Sequence, residues 1–206
     1  MCDTIVIVDY GMGNLHSVKK RITKSGGIAT ISSDPDVIKK SSKLVLPGVG
    51  HFEKAMRNLK KMNLIDALND AVIKRKVPIL GICLGMQIMA KHSEEGNAKG
   101  LGWIDANIKR FDIQDKLHFK VPHMGWNTVE LNKESHLFKG ISKNPEFYFV
   151  HSFYLSSNDE SLNLNSTHYE TSFTSAVEKE NIYGVQYHPE KSHEVGNTLF
   201  ENFITI

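Results

Sequence analysis

Apolar, β-branched runs alternate with helix-spaced apolar residues through the first half of the chain. Continuous apolar runs predict strands buried on both faces of a sheet, and they occur at residues 4–8, 28–31, 44–46 and 77–82. Apolar residues at helical spacing lie between and after them, at residues 15–22, 55–59, 64–72 and from 86 onward. This alternation predicts an α/β fold with a central, mostly parallel sheet and helices on both faces.

The second half of the chain has shorter apolar segments separated by turns. Short strands are predicted in or at residues 103–119, 128–131, 147–150 and 173–177. Residues 178–182 are typical of a hairpin tip, so this half is expected to add antiparallel strands. The polar stretch 156–166 is expected to be an exposed loop or edge, and residues 195–204 a final helix. We expect one domain over residues 1–206.

Composition limits the function classes. Hydrophobic residues make up 40% of the 206 residues and charged residues 23%, which is ordinary for a soluble globular protein. A formal net charge of +2 gives no strong field for nucleic acid or an anionic membrane. Neither a membrane-spanning run nor a signal peptide is expected. The cysteines, Cys2 and Cys83, are expected to be unpaired, which favours a reducing compartment and the cytoplasm.

Residues 81–87 (GICLGMQ) carry the strongest chemical signal. Cys83 stands between a predicted buried strand and a predicted helix, with Gly81 and Gly85 two residues away on either side. This is the pattern of a nucleophile elbow, in which small residues let the two arms of a tight turn pack closely. The alternative is a buried structural cysteine, which is the usual role of an unpaired one.

A second glycine-rich turn, residues 47–50 (PGVG), follows another predicted strand and is expected at the same sheet edge. Glycines let backbone N–H groups approach a ligand without obstruction by side chains. The turn is therefore a candidate for donating hydrogen bonds to an oxyanion, although the same residues also suit an ordinary loop.

Residues 187–190 (YHPE) supply a candidate base and a group to orient it. Pro189 biases His188 toward an extended conformation, in which residues i and i+2 share a side. Glu190 is therefore expected to reach one imidazole nitrogen of His188 while the other nitrogen faces the sulfur. His123 and His151 are expected to have structural roles. Neither a metal nor a cofactor is predicted, since no second His or Cys stands at zinc-ligand spacing from this motif.

Taken together, these motifs resemble the class I glutamine amidotransferases. Gly-x-Cys-x-Gly at Cys83 and His-Pro-Glu at His188 stand in the order of that family. Further segments are similar to the glutaminase subunits of imidazole glycerol phosphate synthases, enzymes of histidine biosynthesis: residues 9–15 (DYGMGNL), 46–50 (LPGVG), 122–127 (PHMGWN) and 188–192 (HPEKS). The likeness covers essentially the whole chain.

The resemblance implies a chemistry for these residues. Cys83 would attack the side-chain amide carbon of glutamine, His188 would move the protons, and Glu190 would orient His188. The oxyanion would be held by the backbone N–H of Leu84 and by one from Val49 or Gly50.

The resemblance also implies the substrate contacts. Gln87, one helical turn after the nucleophile, would bind the amide or carboxylate of glutamine. Gly48 would contact the substrate from the glycine-rich turn. The backbone at His151, Ser152 and Phe153 would hold the amino-acid end.

The partner implied by the resemblance is a (β/α)8-barrel cyclase subunit, which forms a heterodimer with the glutaminase and receives its ammonia. Loop residues expected near the same sheet edge are assigned to the partner-facing rim: Asn14, Met124, Trp126 and Lys191. Glutaminases of this kind are nearly silent until the partner binds its substrate. A donor loop that flips its peptides would explain that silence, because the oxyanion hole would be incomplete at rest.

Four alternatives are considered at the level of sequence. Relatives of this glutaminase supply ammonia to enzymes that aminate sugars for surface polysaccharides, and their active sites would look the same. A stand-alone cysteine hydrolase would not need the segments at 122–127 and 188–192. A non-catalytic binding subunit is disfavoured by the intact triad. The anthranilate type of glutaminase is disfavoured, because it usually carries histidine where Met86 stands.

Overall fold

A sheet of twelve strands and a separate two-stranded ribbon organise residues 4–206, the part of the chain that the computed structural model describes. Cys2 lies outside these residues. The strands are β1 (Thr4–Val8), β2 (Ile28–Ser32), β3 (Lys43–Gly48), β4 (Ile79–Cys83), β5 (His92–Ser93), β6 (Ala98–Lys99), β7 (Asn107–Arg110), β8 (His123–Thr128), β9 (Glu130–Leu131), β10 (Glu146–His151), β11 (Phe153–Ser156), β12 (Asn163–Tyr169), β13 (Thr171–Lys179) and β14 (Ile182–Val185).

Helices cover the first half of the sheet and close the chain. They are α1 (Leu15–Lys24), α2 (Pro35–Lys40), α3 (Phe52–Lys61), α4 (Leu64–Asn69), α5 (Leu84–Gln87) and α6 (His193–Thr205). Asn14 caps α1 by accepting a hydrogen bond from the Ser17 N–H at 3.3 Å, and Asp34 caps α2 in the same way. No helix within residues 4–206 has the length and apolar character to cross a membrane.

The sheet has a parallel half and an antiparallel half. Strands β2, β1, β3, β4 and β14 lie side by side and are all parallel. Strands β13, β11 and β7 then continue the sheet in antiparallel pairing. The predicted α/β fold class is confirmed, including the hairpin whose strands pair Glu178 with Tyr183. The carboxyl ends of β3 and β4 lie next to each other, which brings two loops to one edge.

Both faces of the parallel half are buried, as the continuous apolar runs predicted. In β1, Ile5 and Ile7 pack with the apolar side of α1 and α6, whereas Val6 and Val8 pack with α2, α3 and α4 on the other face. Burying each such side chain contributes about 1.5–3 kcal/mol to the free energy of folding. The sheet therefore holds the loops at its edge in fixed positions.

The polar stretch 156–166, predicted to be an exposed loop or edge, is partly internal. Residues 163–166 form the first part of strand β12, which pairs with β13. Asn165, within this part, is fully buried. The Asn165 side chain donates to the Tyr187 hydroxyl at 3.1 Å and accepts from the Ser175 hydroxyl at 2.8 Å. Sequence polarity is misleading here because these polar groups satisfy one another inside the protein.

The strands of the ribbon differ in their bounds from the short strands predicted there. A strand was expected at 128–131, but β8 ends at Thr128 and only the short strand β9 follows. In the ribbon His151 stands directly opposite His123. The helix predicted from residue 86 onward is α5, which spans only Leu84–Gln87.

Candidate active site

Cys83 stands at a sharp turn between the end of β4 and the start of α5. Its backbone has φ 53° and ψ −111°, a conformation that non-glycine residues rarely adopt and that costs of order 1–3 kcal/mol. The residue is only 6% exposed, but it lines a cavity. The elbow predicted from the glycine spacing is therefore present.

The glycines around the elbow are required by close packing of the backbone. A Cβ atom on Gly85 would overlap the carbonyl oxygen of Leu46 in β3. A Cβ atom on Gly81 would lie 2.8 Å from the Met86 backbone nitrogen and 2.7 Å from the Met89 Cε. No larger residue fits either position without moving a strand or the helix, so the turn has one arrangement.

His188 is held between Glu190 and the backbone. Its Nδ1 lies 2.7 Å from Glu190 Oε1, and both side chains are almost completely buried. The His188 N–H donates to the Tyr148 carbonyl at 2.8 Å, and the Ser192 hydroxyl donates to the His188 carbonyl at 2.7 Å. The contact with Glu190 comes from a 3₁₀ turn at Pro189–Lys191 and not from the extended segment that the sequence suggested.

The imidazole of His188 lies in an environment that favours its protonated form. Burial lowers the pKa of His188, but the charge and hydrogen bonding of Cys83 and of Glu190 outweigh burial and raise the pKa to about 10. Since Nδ1 is occupied by Glu190, Nε2 is the nitrogen available to Cys83, and among residues 4–206 it has no fixed hydrogen-bond partner. The imidazole is thus paired with Glu190 and lies within the electrostatic reach of Cys83.

A cavity of about 270 Å³ opens beside the sulfur. Its lining includes Glu95 and all of the predicted oxyanion and substrate residues except Gly48: Val49, Gly50, Leu84, Gln87, His151, Ser152 and Phe153. A larger surface cavity of about 810 Å³ lies at residues 131–143, but it contains no nucleophile. Within residues 4–206 no group of three His, Cys, Asp or Glu side chains is arranged to hold a metal ion.

The residues predicted to supply oxyanion N–H groups, Val49, Gly50 and Leu84, line the same cavity as Cys83. Leu84 is the first residue of α5, so its N–H has no partner within the helix. Gly48 pairs with Cys83 in the parallel register, and Gly50, with φ 113°, follows in the loop that borders the cavity. The predicted oxyanion donors are therefore on the cavity wall.

Two side chains near the sulfur were not singled out from the sequence. Gln186 donates from Nε2 to Cys83 Sγ at 3.6 Å. The hydroxyl of Tyr10 is buried directly over Gly48, with no hydrogen-bond partner among residues 4–206. Tyr10 belongs to the segment 9–15 and Gln186 directly precedes the segment 187–190, but nothing in their type or spacing distinguishes them from core residues.

The four residues assigned to the partner-facing rim are exposed. Met124 is 62% exposed and Trp126 is 45% exposed, and the Trp126 ring stacks on His193 with centroids 5.0 Å apart. Lys191 lies over the Tyr148 ring at 5.4 Å. Asn14 is exposed at the start of α1.

Comparison with known proteins decides the family. The family model of the class I glutamine amidotransferases matches residues 6–206. The chain belongs to this family. It is 52% identical to the imidazole glycerol phosphate synthase subunit HisH 2 of Methanococcus maripaludis, over 97% of this chain and 98% of that protein. It is 44% identical to the HisH 2 subunit of Pseudomonas aeruginosa, over 98% of this chain and 99% of that protein.

Solved structures agree with this amidotransferase fold. A crystal structure of a glutamine amidotransferase superposes with a TM-score of 0.74 at 16% identity, covering 98% of this chain and 99% of that chain. The PurLQS structure from Thermotoga maritima gives a TM-score of 0.75 at 15% identity, covering 100% of this chain and 99% of that chain. At these identities the likeness concerns the fold alone.

Proposed function

We propose that this amidotransferase hydrolyses L-glutamine to glutamate and ammonia, and delivers the ammonia to a cyclase partner that makes imidazole glycerol phosphate in histidine biosynthesis. The observation that carries the proposal is the buried contact of 2.7 Å between His188 and Glu190, beside a cysteine on a strained elbow. The names of the full-length relatives support the choice of pathway.

In the first half of the reaction, the Cys83 thiolate attacks the side-chain amide carbon of glutamine and the carbonyl oxygen becomes an oxyanion. The N–H of Leu84 and one N–H from Val49 or Gly50 stabilise that charge. His188 gives its proton to the departing nitrogen, so ammonia leaves and a glutamyl thioester remains. Glu190 keeps the imidazole oriented and stabilises its charged form.

In the second half, water attacks the thioester carbon while His188 accepts its proton. The same N–H groups hold the second oxyanion, and glutamate leaves as the sulfur is released. The amino-acid end of the substrate lies against the backbone at His151, Ser152 and Phe153. Gln87 and Gly48 complete the substrate site on the elbow side.

The partner in this proposal is a (β/α)8-barrel cyclase subunit, which forms a heterodimer through the rim defined by Asn14, Met124, Trp126 and Lys191. Exposed aromatic and long apolar side chains are typical of protein interfaces, which supports this surface. The rim also joins the segment of His188, since Trp126 stacks on His193.

The test is glutamine hydrolysis by the purified chain with and without the cyclase subunit. We expect slow glutamate release alone, strong stimulation by the cyclase with its ligand, and loss of activity to background in Cys83→Ala, because no other nucleophile occupies the elbow. Hydrolysis that survives Cys83→Ala would overturn the nucleophile assignment. The folded state of the variant is checked by its thermal unfolding.

A second acceptor has one observation in its favour. The relatives from Methanococcus maripaludis and Pseudomonas aeruginosa are both numbered HisH 2, which distinguishes them from another copy. A second copy is free to supply ammonia to a different synthase, such as a sugar-aminating enzyme of surface polysaccharide biosynthesis. Co-purification of this chain with its partner, followed by identification of the partner, separates the two acceptors.

A further inference from the structure

A continuous chain of hydrogen bonds joins the β8–β10 ribbon to the sulfur of Cys83. The Phe153 carbonyl is its midpoint, because it accepts from Gln87 Nε2 at 2.9 Å and from His151 Nδ1 at 2.8 Å. One arm leads from this carbonyl to the sulfur and the other leads into the ribbon. Gln87, Gln186, His123 and His151 are all buried.

In the arm toward the sulfur, the donor and acceptor of each hydrogen bond are fixed. A carbonyl oxygen can only accept, so the Gln87 nitrogen must face Phe153. The same nitrogen donates its second hydrogen to Gln186 Oε1 at 2.9 Å. The amide of Gln186 is thereby oriented with its nitrogen toward Cys83, to which it donates at 3.6 Å.

The arm into the ribbon is directed by the same argument. His151 must carry its proton on Nδ1 to donate to Phe153, so its Nε2 accepts from His123 Nδ1 at 3.0 Å. His123 Nε2 then accepts from Asn127 Nδ2 at 3.2 Å, and that nitrogen also donates to the His168 carbonyl at 3.0 Å. Every group in this arm therefore has one tautomer or one amide orientation.

The two histidines are held in the neutral form that this arrangement requires. Burial lowers the pKa of His123 to about 4, and burial lowers the pKa of His151 to about 3. The His123 ring is also stacked between Phe149 at 4.8 Å and Tyr169 at 4.0 Å. Neither ring can turn without breaking its hydrogen bonds.

We propose that Gln186 is a positioning residue, because its amide holds the sulfur of Cys83 by a hydrogen bond. The ribbon histidines, His123 and His151, in turn hold Gln186 in place through Phe153 and Gln87. A hydrogen bond from a fixed amide favours the thiolate and restricts the rotation of the sulfur. This inference deepens the proposed function and rests on it, because a held thiolate matters only if Cys83 reacts. It also gives a role to the amide nitrogen of Gln87, which donates both of its hydrogens within the protein, to Phe153 and Gln186.

The direct test is alkylation of Cys83 by iodoacetamide in Gln186→Leu, followed by mass spectrometry of the peptide so that Cys2 does not interfere. Leucine has a similar volume and cannot donate. We expect alkylation about tenfold slower at neutral pH. The matched control is Gln114→Leu, since Gln114 is exposed and distant in sequence from the elbow. An unchanged rate in Gln186→Leu would overturn the proposal.

Gln186→Glu is a second variant in case leucine prevents folding. It keeps the shape of the side chain but cannot donate to a thiolate when ionised, so we expect alkylation to slow in the same direction. Wild-type alkylation in a folded Gln186→Glu would likewise overturn the proposal. With the cyclase bound, Gln186→Leu is expected to lower kcat about tenfold and to change KM less than about twofold.

The remote arm is tested with His123→Phe, which keeps an aromatic ring between Phe149 and Tyr169 but removes the donor to His151. We expect Cys83 alkylation about threefold slower, in a protein that unfolds within a few degrees of the wild type. Wild-type alkylation in His123→Phe would overturn the role of the ribbon. Alkylation does not require turnover, so this inference and the glutaminase proposal can fail independently.

Discussion

Two regions flank the nucleophile, here called the elbow wall and the histidine wall, and they are held in different ways. The elbow wall, formed by Gly48 and residues 83–85, is fixed by backbone packing: its glycines leave no space for a Cβ atom. The histidine wall, formed by residues 188–192 and the β8–β10 ribbon, is fixed by side-chain hydrogen bonds and aromatic stacking. One wall is entirely internal, whereas the other continues to the exposed Trp126.

The difference assigns separate tasks to the two walls. Backbone packing at density close to that of a crystal resists displacement, so the elbow wall keeps the nucleophile and the Leu84 N–H in one geometry. Side-chain contacts that reach the surface can respond to a bound protein. A partner seated on the rim would therefore act on the imidazole and the ribbon, and not on the elbow.

The largest expected effect is on the elbow wall. Gly85→Ala places a methyl group against the Leu46 carbonyl, so β3 and α5 must separate. We expect a loss of about 3 kcal/mol or more in the free energy of unfolding, measured by urea denaturation.

The matched control for this prediction is Gly140→Ala. Gly140 has φ 74°, and nothing lies within 4 Å of the position that a methyl group would take there. Alanine therefore costs only the left-handed conformation, about 1 kcal/mol. Equal destabilisation of the two variants would mean that the elbow wall is not held by backbone contact.

The same contrast explains what the sequence could predict. The elbow, the buried strand that leads to it and the His-Pro-Glu segment follow local rules: a glycine spacing, buried β-branched runs, a proline. Cys83, His188 and Glu190 were therefore found together. Gln186 and Tyr10 were not, because their roles depend on which strands become neighbours in space.

The ribbon shows the same limit on a larger scale. His123 and His151 were expected to be structural, and each stands alone in the sequence. Only the antiparallel pairing of β8 with β10 sets them opposite one another and directs their tautomers. Buried polar strands such as β12 are missed for the same reason, since polar residues are recognised as internal only when their partners are known.

An intermediate effect is expected on the histidine wall, where a substitution should lower the catalytic rate but leave the protein folded. Glu190→Gln keeps the shape of the contact with His188 but removes its charge. We expect kcat to fall about 100-fold or more with little change in the free energy of unfolding. The charge and hydrogen bond of Glu190 raise the pKa of His188, so the variant should titrate at lower pH, as measured by NMR of the imidazole.

The exposed Glu146 provides the control for Glu190, because Glu146→Gln makes the same chemical change at the start of β10. Its kcat and the His188 titration are expected to match the wild type. If Glu190→Gln left both quantities at their wild-type values, the carboxylate would not orient the base and the histidine wall would depend on the backbone contacts of His188 alone.

The smallest effect is expected where the histidine wall reaches the surface. Trp126→Ala removes the ring that stacks on His193 and changes only one exposed side chain. We expect the affinity for the cyclase subunit to fall about tenfold, measured by titration calorimetry, because the few residues that dominate the binding energy of an interface are enriched in tryptophan. Alkylation of Cys83 in the isolated chain should stay at the wild-type rate, since Trp126 makes none of the hydrogen bonds that link the ribbon to the sulfur. Leu117→Ala is the control, because Leu117 is 85% exposed and lies outside the rim. Equal affinities for the two variants would remove Trp126 from the interface and with it the link between partner and imidazole.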